Sequence, residues 1–248
     1  MKIAIYGQYY QNSTEPIIKD IFIFFNRNNI EIVIESNFLA LIQEKKIIER
    51  EYQSFSSHTE LDSSFDMLLS IGGDGTILRA ATLVRDSGIP ILGINAGRLG
   101  FLATVQKENI DEFLQVVIDK KYTLSKRTLL SLTSTPENEA LNDINFAMNE
   151  ISVSRKDTTS MITIETYLNG EILNSYWADG LIISTPTGST GYSLSCGGPI
   201  LTPDVKSLVI TPIAPHNLNA RPLVIPDETE ITLKVSGREE NYLVSLDS

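Results

Sequence analysis

The chain has 248 residues, 42% hydrophobic and 21% charged, with 31 acidic side chains against 20 basic ones and a net charge of −11. This is the composition of a globular protein with enough chain for one or two cored domains. The acidic balance excludes a sequence-blind nucleic-acid binder, which needs a cationic face for phosphates, but not a small anionic ligand held by backbone amides and a few local cations.

Met1 to Ile5 runs straight into a strand pattern with no signal peptide, and no apolar run approaches the ~20 residues of a membrane span, so a cytoplasmic protein is expected. Lys2 to Tyr6 reads as a first strand and Gly7 to Pro16 as a polar loop. Ile17, Ile18, Ile21, Phe22 and Phe25 then recur at helical spacing. Ile30 to Glu35 alternates and is β-branched, a second strand, and Ser36-Asn37 supplies an N-cap for a helix running to about Arg50. Glu51 to Ser64 is polar and serine-rich and reads as a mobile loop.

From Met67 the chain reads MLLSIGGDGTILR: an apolar strand, a glycine turn at Gly72-Gly73-Asp74-Gly75, and a helix opened by Thr76. Glycines let a ligand approach the backbone with no Cβ in the way. Turn amides backed by a helix N-terminus make a phosphate cradle. A carboxylate inside such a cradle is repelled by phosphate, so Asp74 has another task, a metal to bind or a hydroxyl proton to take. The same residues also suit an ordinary capped turn, since short glycine motifs are weak signals, and they match neither the P-loop nor the dinucleotide fingerprint. Pro90 to Asn95 follows as a short buried strand, and Lys107 to Asp119 as a helix. Strands alternating with helices give a parallel sheet, with ligands beyond its carboxyl ends.

From Tyr122 onward strand patterns dominate, with a hairpin signal at Asn169-Gly170. The fold expected is an α/β N-terminal domain with a parallel sheet over residues 1–120 and an all-β C-terminal domain over 121–248. Asn149-Glu150 interrupts an apolar strand, which fits a ligand-facing pair or an edge strand blunted by charge. The loop Pro186 to Pro199, PTGSTGYSLSCGGP, is long, hydroxyl-rich and too glycine-rich to bury itself, so ligand contact is expected there. Cys196 has no disulfide partner and reads as a small buried residue. His216, beside Pro215 and Asn217, suits a rigid corner or a substrate-orienting role more than a metal site.

Taken together, Gly72–Thr76, Asn95–Phe101 (NAGRLGF), Asn149-Glu150, Asp179–Pro199 and Pro215–Pro222 resemble the NAD kinase family, in family order. The Asp179–Pro199 block carries most of the specificity. The glycine-aspartate turn is shared with lipid kinases and sugar kinases, which are one alternative, and a non-catalytic dinucleotide-binding sensor is another. The resemblance implies phosphoryl transfer from ATP or polyphosphate, with a divalent metal such as Mg2+, to the 2′-hydroxyl of the adenosine ribose of NAD, giving NADP. It makes Asp74 the proton acceptor and places Gly73, Gly75, Thr76 and Arg79 near the phosphates. It gives Asn149 and Glu150 to the adenosine part and Asp179 to the nicotinamide side. Thr190, Gly191, Tyr192, Ser193, Leu194 and Ser195 line the adenine and ribose, with Ala214 and His216 nearby.

Charge and the lack of a long apolar run imply no nucleic acid and no membrane, and the resemblance implies a homo-oligomer, tetramer or dimer; a neighbour could close the polar loop's site, with Asp179 or Tyr192 reaching a dinucleotide bound next door. Two departures stand out. Gly191 occupies a position where the family commonly has alanine. Family members also continue beyond a strand like Tyr242–Leu246, whereas this sequence stops at Asp247-Ser248, so a C-terminally shortened chain is expected.

Overall fold

The computed structural model describes residues 1–8, 14–48, 50–97, 100–105, 110–156, 160–238 and 241–247. The chain divides into two compact units, Met1–Leu124 and Ser125–Ser248. No described helix is long and apolar enough to cross a membrane.

In the first unit β1 (Lys2–Gly7), β2 (Glu31–Glu35), β3 (Gln53–Phe55), β4 (Met67–Gly72) and β5 (Ile91–Asn95) form one parallel sheet in the order β3-β2-β1-β4-β5. Helices α1 (Thr14–Arg27), α2 (Ser36–Glu44), α3 (Asp74–Val84) and α4 (Ile110–Ile118) connect and cover it. Strand β4 is buried throughout, as a sheet sandwiched between helices requires. Two core layers result. Phe25 of α1, Phe38 and Ile42 of α2 and Leu114 of α4 pack with Ile3, Ile5 and Leu69. Ala80 and Val84 of α3 pack with Ala4, Val33 and Leu68.

The sequence reading differs from this structure around α2, which ends at Glu44 rather than near Arg50, and in the segment after it. The cap of α2 is Glu35 rather than Ser36-Asn37: its carboxylate accepts the N–H groups of Asn37 and Phe38 at 3.1 and 2.9 Å. The expected loop from Glu51 to Ser64 contains the edge strand β3 and a short 3-10 turn, His58–Glu60. Phe55 and Leu61 anchor it in the core at 1% and 4% exposure.

In the second unit β8 (Glu150–Arg155), β11 (Gly180–Ser184), β12 (Ser207–Ile213), β13 (Leu223–Pro226) and β15 (Tyr242–Leu246) form an antiparallel sheet ordered β13-β12-β11-β8-β15. A second antiparallel sheet is ordered β10-β9-β14, from β9 (Ile162–Leu168), β10 (Glu171–Ala178) and β14 (Ile231–Ser236). The short strands β6 (Leu130–Ser131) and β7 (Phe146–Ala147) pair with each other. Ile162, Ile164 and Tyr176 from one sheet meet Leu181, Ile183 and Ile210 from the other in a shared core. The hairpin signal is realised between β9 and β10, with Asn169 and Gly170 at φ 50° and 85°, the left-handed pair that a two-residue turn needs.

Candidate active site

In the first unit the glycine turn lies where β4 meets α3. A Cβ at Gly73 or Gly75 would meet nothing within 4 Å, so a phosphate can come against this backbone, at a helix N-terminus that favours anions. Thr76 is fully buried. Its hydroxyl accepts the Gly73 N–H at 3.2 Å and donates to Gln8 Oε1 at 3.3 Å, so its side chain shapes the turn and its hydroxyl is already engaged.

Asp74, the first residue of α3, turns its carboxylate onto the segment after β5. Oδ2 accepts the Phe101 N–H at 2.7 Å, and Oδ1 accepts those of Leu102 and Ala103 at 2.9 and 3.0 Å. A Cβ on Gly100 would run into that carboxylate, which explains the second glycine of the Asn95–Phe101 motif. Arg98 and Leu99 of the motif lie outside the described residues. Arg79 is exposed on α3 and lies close to the Tyr6 hydroxyl. Burial pushes the Tyr6 phenol above its ordinary value, and the Arg79 charge opposes that shift.

In the second unit Asn149 and Glu150 stand at the start of β8. That strand lies between β11 and β15, so the pair is not an edge-blunting device. Three backbone N–H groups here, those of Met148, Asn149 and Glu150, donate to the Asp247 carboxylate at 2.8, 2.6 and 3.2 Å. Glu150 is 3% exposed. The Pro186–Pro199 segment closes over this point: a Cβ on Gly188 would strike the Asn149 backbone, and one on Gly191 would stand 3.2 Å from Glu150 Oε2. Glycine at 188 is therefore a condition of the close approach.

The loop does bury itself, against the sequence expectation. Thr187, Ser189 and Ser193 are 8%, 0% and 0% exposed, because their neighbourhood satisfies them. Ser189 Oγ donates to Pro186 O at 2.7 Å and accepts the Leu201 N–H at 2.9 Å. Ser193 Oγ shares a 2.7 Å hydrogen bond with Thr211 Oγ1. What remains open is its second half, a short helix α5 (Tyr192–Ser195) with Tyr192 and Leu194 each 40% exposed. Thr190 is half-buried and donates to Thr187 O at 3.3 Å.

Burial raises the Tyr192 phenol above its ordinary value, and the negative fields of Cys196, Asp179 and Glu150 raise it further. Four of the expected residues, Glu150, Asp179, Gly191 and Tyr192, are thus gathered with Asn149 in one unit. Asp179 is held by a 3.0 Å ion pair with Arg155. Ala214, at φ 43°, occupies a left-handed conformation that costs a non-glycine residue roughly 1–2 kcal/mol, and such strain concentrates at functional sites. His216 is apart from Glu150 in its contacts: its ring centroid lies 4.6 Å from that of Trp177, edge-on, and its backbone N–H donates to Trp177 O at 2.8 Å. Arg155 and Asp247, which position Asp179 and the Asn149-Glu150 pair, carry no local signal in the sequence.

Phosphoryl transfer asks for positioning and charge neutralisation more than for covalent chemistry, and this chain supplies open backbone at a glycine turn with a fixed carboxylate beside it. In class it is a small-molecule phosphotransferase. Residues 12–122 match the ATP-NAD kinase N-terminal domain and residues 148–248 the ATP-NAD kinase C-terminal domain. The chain belongs to the ATP-NAD kinase family. It is 77% identical over 248 residues to the NAD kinase of Flavobacterium johnsoniae, a match that spans 100% of this chain and 84% of that protein. It is 45% identical over 249 residues to that of Cytophaga hutchinsonii, again across 100% of this chain and 84% of the relative. Among solved structures, yeast NADH kinase complexed with NADH superposes with a TM-score of 0.87 at 26% identity, covering 100% of this chain and 73% of that one. The NAD kinase from Archaeoglobus fulgidus in complex with ATP gives 0.73 at 26% identity, covering 98% and 86%.

Proposed function

We propose that this chain phosphorylates NAD to NADP with ATP as the donor, Asp74 orienting the ribose 2′-hydroxyl and taking its proton. The observation that carries the reading is the state of the Asp74 carboxylate. Its three N–H donors use three of roughly four lone-pair positions. The carboxylate is pinned in direction and keeps one position for a hydroxyl, the preorganisation that general-base catalysis needs. The open backbone at Gly73 and Gly75 takes the transferring phosphate, and Arg79 supplies a local cation in an otherwise acidic chain. Support for ATP over polyphosphate comes from the ATP-NAD kinase match and from the ATP complex of the Archaeoglobus fulgidus relative.

A divalent cation, Mg2+ by the family resemblance, neutralises phosphate charge when bound. Among the described residues no three or more His, Cys, Asp or Glu side chains gather into a metal cage. In the second unit Asn149 and Glu150 hydrogen-bond the adenosine, the open side of Thr190–Ser195 lines the base and ribose with Ala214 and His216 nearby, and Asp179 faces the nicotinamide side. The enzyme is proposed to be cytoplasmic and homo-oligomeric.

The test is an incubation with NAD, ATP and magnesium followed by an NADP-specific assay, run beside Asp74→Asn. The variant should lose about 10²-fold or more in kcat, the scale of acid–base groups, with NAD affinity changed much less. Absence of NADP from the unaltered chain with either donor would overturn the reading, and near-normal turnover by the variant would remove the base role from Asp74.

A further inference from the structure

Just ahead of β6 the second unit holds a basic side chain with no carboxylate against it. Arg127 is half-buried, and among the described residues it makes no ion pair. Its one hydrogen bond among them runs from Nη1 to Thr187 Oγ1, at 3.4 Å. A guanidinium carries several N–H donors in a planar fork, so most of this one is unspent. The chain has 31 acidic side chains to 20 basic ones, so carboxylates are not scarce. A half-buried cation that takes none of them calls for an anion from outside.

The fold brings Arg127 to the Asn149-Glu150 pair. Strand β6 pairs antiparallel with β7, Leu130 opposite Ala147. The chain before β6 therefore runs alongside the chain after β7, which is Met148-Asn149-Glu150. From the other side comes Thr187, 8% exposed, at the head of the Pro186–Pro199 loop. Thr185 Oγ1 donates to Met148 O at 2.6 Å and accepts the Gly188 N–H at 3.1 Å, which pins the backbone on either side of Thr187. Neighbouring hydroxyls give their protons to the protein, Ser184 to Thr185 O at 3.0 Å and Ser189 to Pro186 O at 2.7 Å. Thr187 differs. Its oxygen accepts from Arg127, and its own proton meets no acceptor among the described residues.

We infer that Arg127 and Thr187 together seat the diphosphate of NAD, the guanidinium and the hydroxyl both donating to phosphate oxygens. The inference rests on the reading of NAD as acceptor and deepens it by adding two binding residues to Asn149 and Glu150. The diphosphate is joined to the adenosine, so its seat has to adjoin theirs. Charge points the same way. Glu150 and Asp179 are acidic, and Arg155 is already paired with Asp179 at 3.0 Å. A diphosphate brought toward these carboxylates is repelled unless a cation stands beside it. The fork of an arginine matches phosphate oxygens two at a time, which a lysine cannot do.

The test is calorimetry of NAD, and of adenosine as a ligand without phosphate, on the unaltered chain and on Arg127→Gln, Arg127→Lys and Thr187→Val. Arg127→Gln should lower NAD affinity about tenfold or more and move adenosine affinity less than about twofold, since hydrogen bonds to charged groups are the strong ones. Arg127→Lys should lose less than Arg127→Gln, and Thr187→Val should weaken NAD in the same selective way. Added salt should weaken NAD binding by the unaltered chain more than by Arg127→Gln, because ions screen the phosphate contact. Folded variants with unchanged NAD affinity would overturn the proposal. Equal losses for NAD and adenosine would also overturn it, since a clamp that only shapes the loop predicts them. The two readings fail in different ways. If NAD is not the ligand, the unaltered chain itself binds none; if only the seat is wrong, it binds NAD and Arg127→Gln binds it equally well.

Discussion

The carboxylate of Asp247 accepts the backbone N–H of Asn149 at 2.6 Å, across 98 positions of chain. It also takes the N–H groups of Met148 and Glu150, and its own N–H donates to Glu150 O at 3.1 Å. One aspartate therefore sets the backbone from which the Asn149 and Glu150 side chains project. Asp74 gathers three N–H groups of residues 101–103 in the same way. Both units fix a functional stretch of irregular backbone with a carboxylate, because hydrogen bonds to a charged acceptor are about twice as strong as neutral ones.

Asp247→Ala leaves those N–H groups without their acceptor, and hydrogen bonds to charged groups are worth about 1.5–3 kcal/mol. The variant should melt lower and bind NAD about tenfold or more weakly, and Asp247→Asn should recover part of both. Asn149→Ala should cost about 1–3 kcal/mol of NAD affinity through a lost hydrogen bond, with little change in melting. Calorimetry on folded variants decides: unaltered NAD affinity in Asp247→Ala would show that the carboxylate serves stability alone.

Gly100→Ala tests the setting of Asp74 from the other side. The added Cβ runs into the carboxylate, so either the carboxylate or residues 101–103 must move. A misplacement of about 1 Å at a reacting group can cost on the order of 10²-fold. The expected outcome is a kcat lowered about 10-fold to 10²-fold, with NAD affinity nearly unchanged. A variant that folds and keeps full kcat would show that the three N–H donors do not matter to turnover.

Much of this was legible in the sequence wherever the chemistry is local. The glycine turn shows because strand, glycines and helix adjoin, and Asn169-Gly170 shows because a two-residue turn demands left-handed residues. Glu35 was hidden because it counts first as the last residue of a strand, while Ser36-Asn37 looks like an ordinary cap. The β3 segment was hidden because a three-residue parallel edge strand is too short to show any period. The Pro186–Pro199 loop looked unburiable because its hydroxyl partners, Thr211 for Ser193 and Leu201 for Ser189, come later in the chain. Asp247 and Arg155 act across 97 to 99 and 24 positions respectively, and no spacing rule reaches that far.

The second unit presents apolar side chains on two of its edge strands. Ile172 and Trp177 on β10 are 64% and 49% exposed, and Val224 on β13 is 44% exposed. Strands β10 and β13 are terminal in their sheets, and exposed sheet edges with apolar faces call for a cover. The Trp177 ring is in contact with His216, one of the residues assigned to the dinucleotide, so a second copy seated on β10 would sit beside that group. A neighbour closing the exposed side of Tyr192 in this way makes association and NAD binding reciprocal, and NAD should strengthen the oligomer by mass action. Sedimentation velocity over a dilution series should show dissociation shifting to lower protein concentration when NAD is added. Specific activity should fall on dilution in step with dissociation. Trp177→Ala should weaken assembly and NAD binding together. A monomer that turns over NAD at the full rate would exclude a shared site and leave each chain complete in itself.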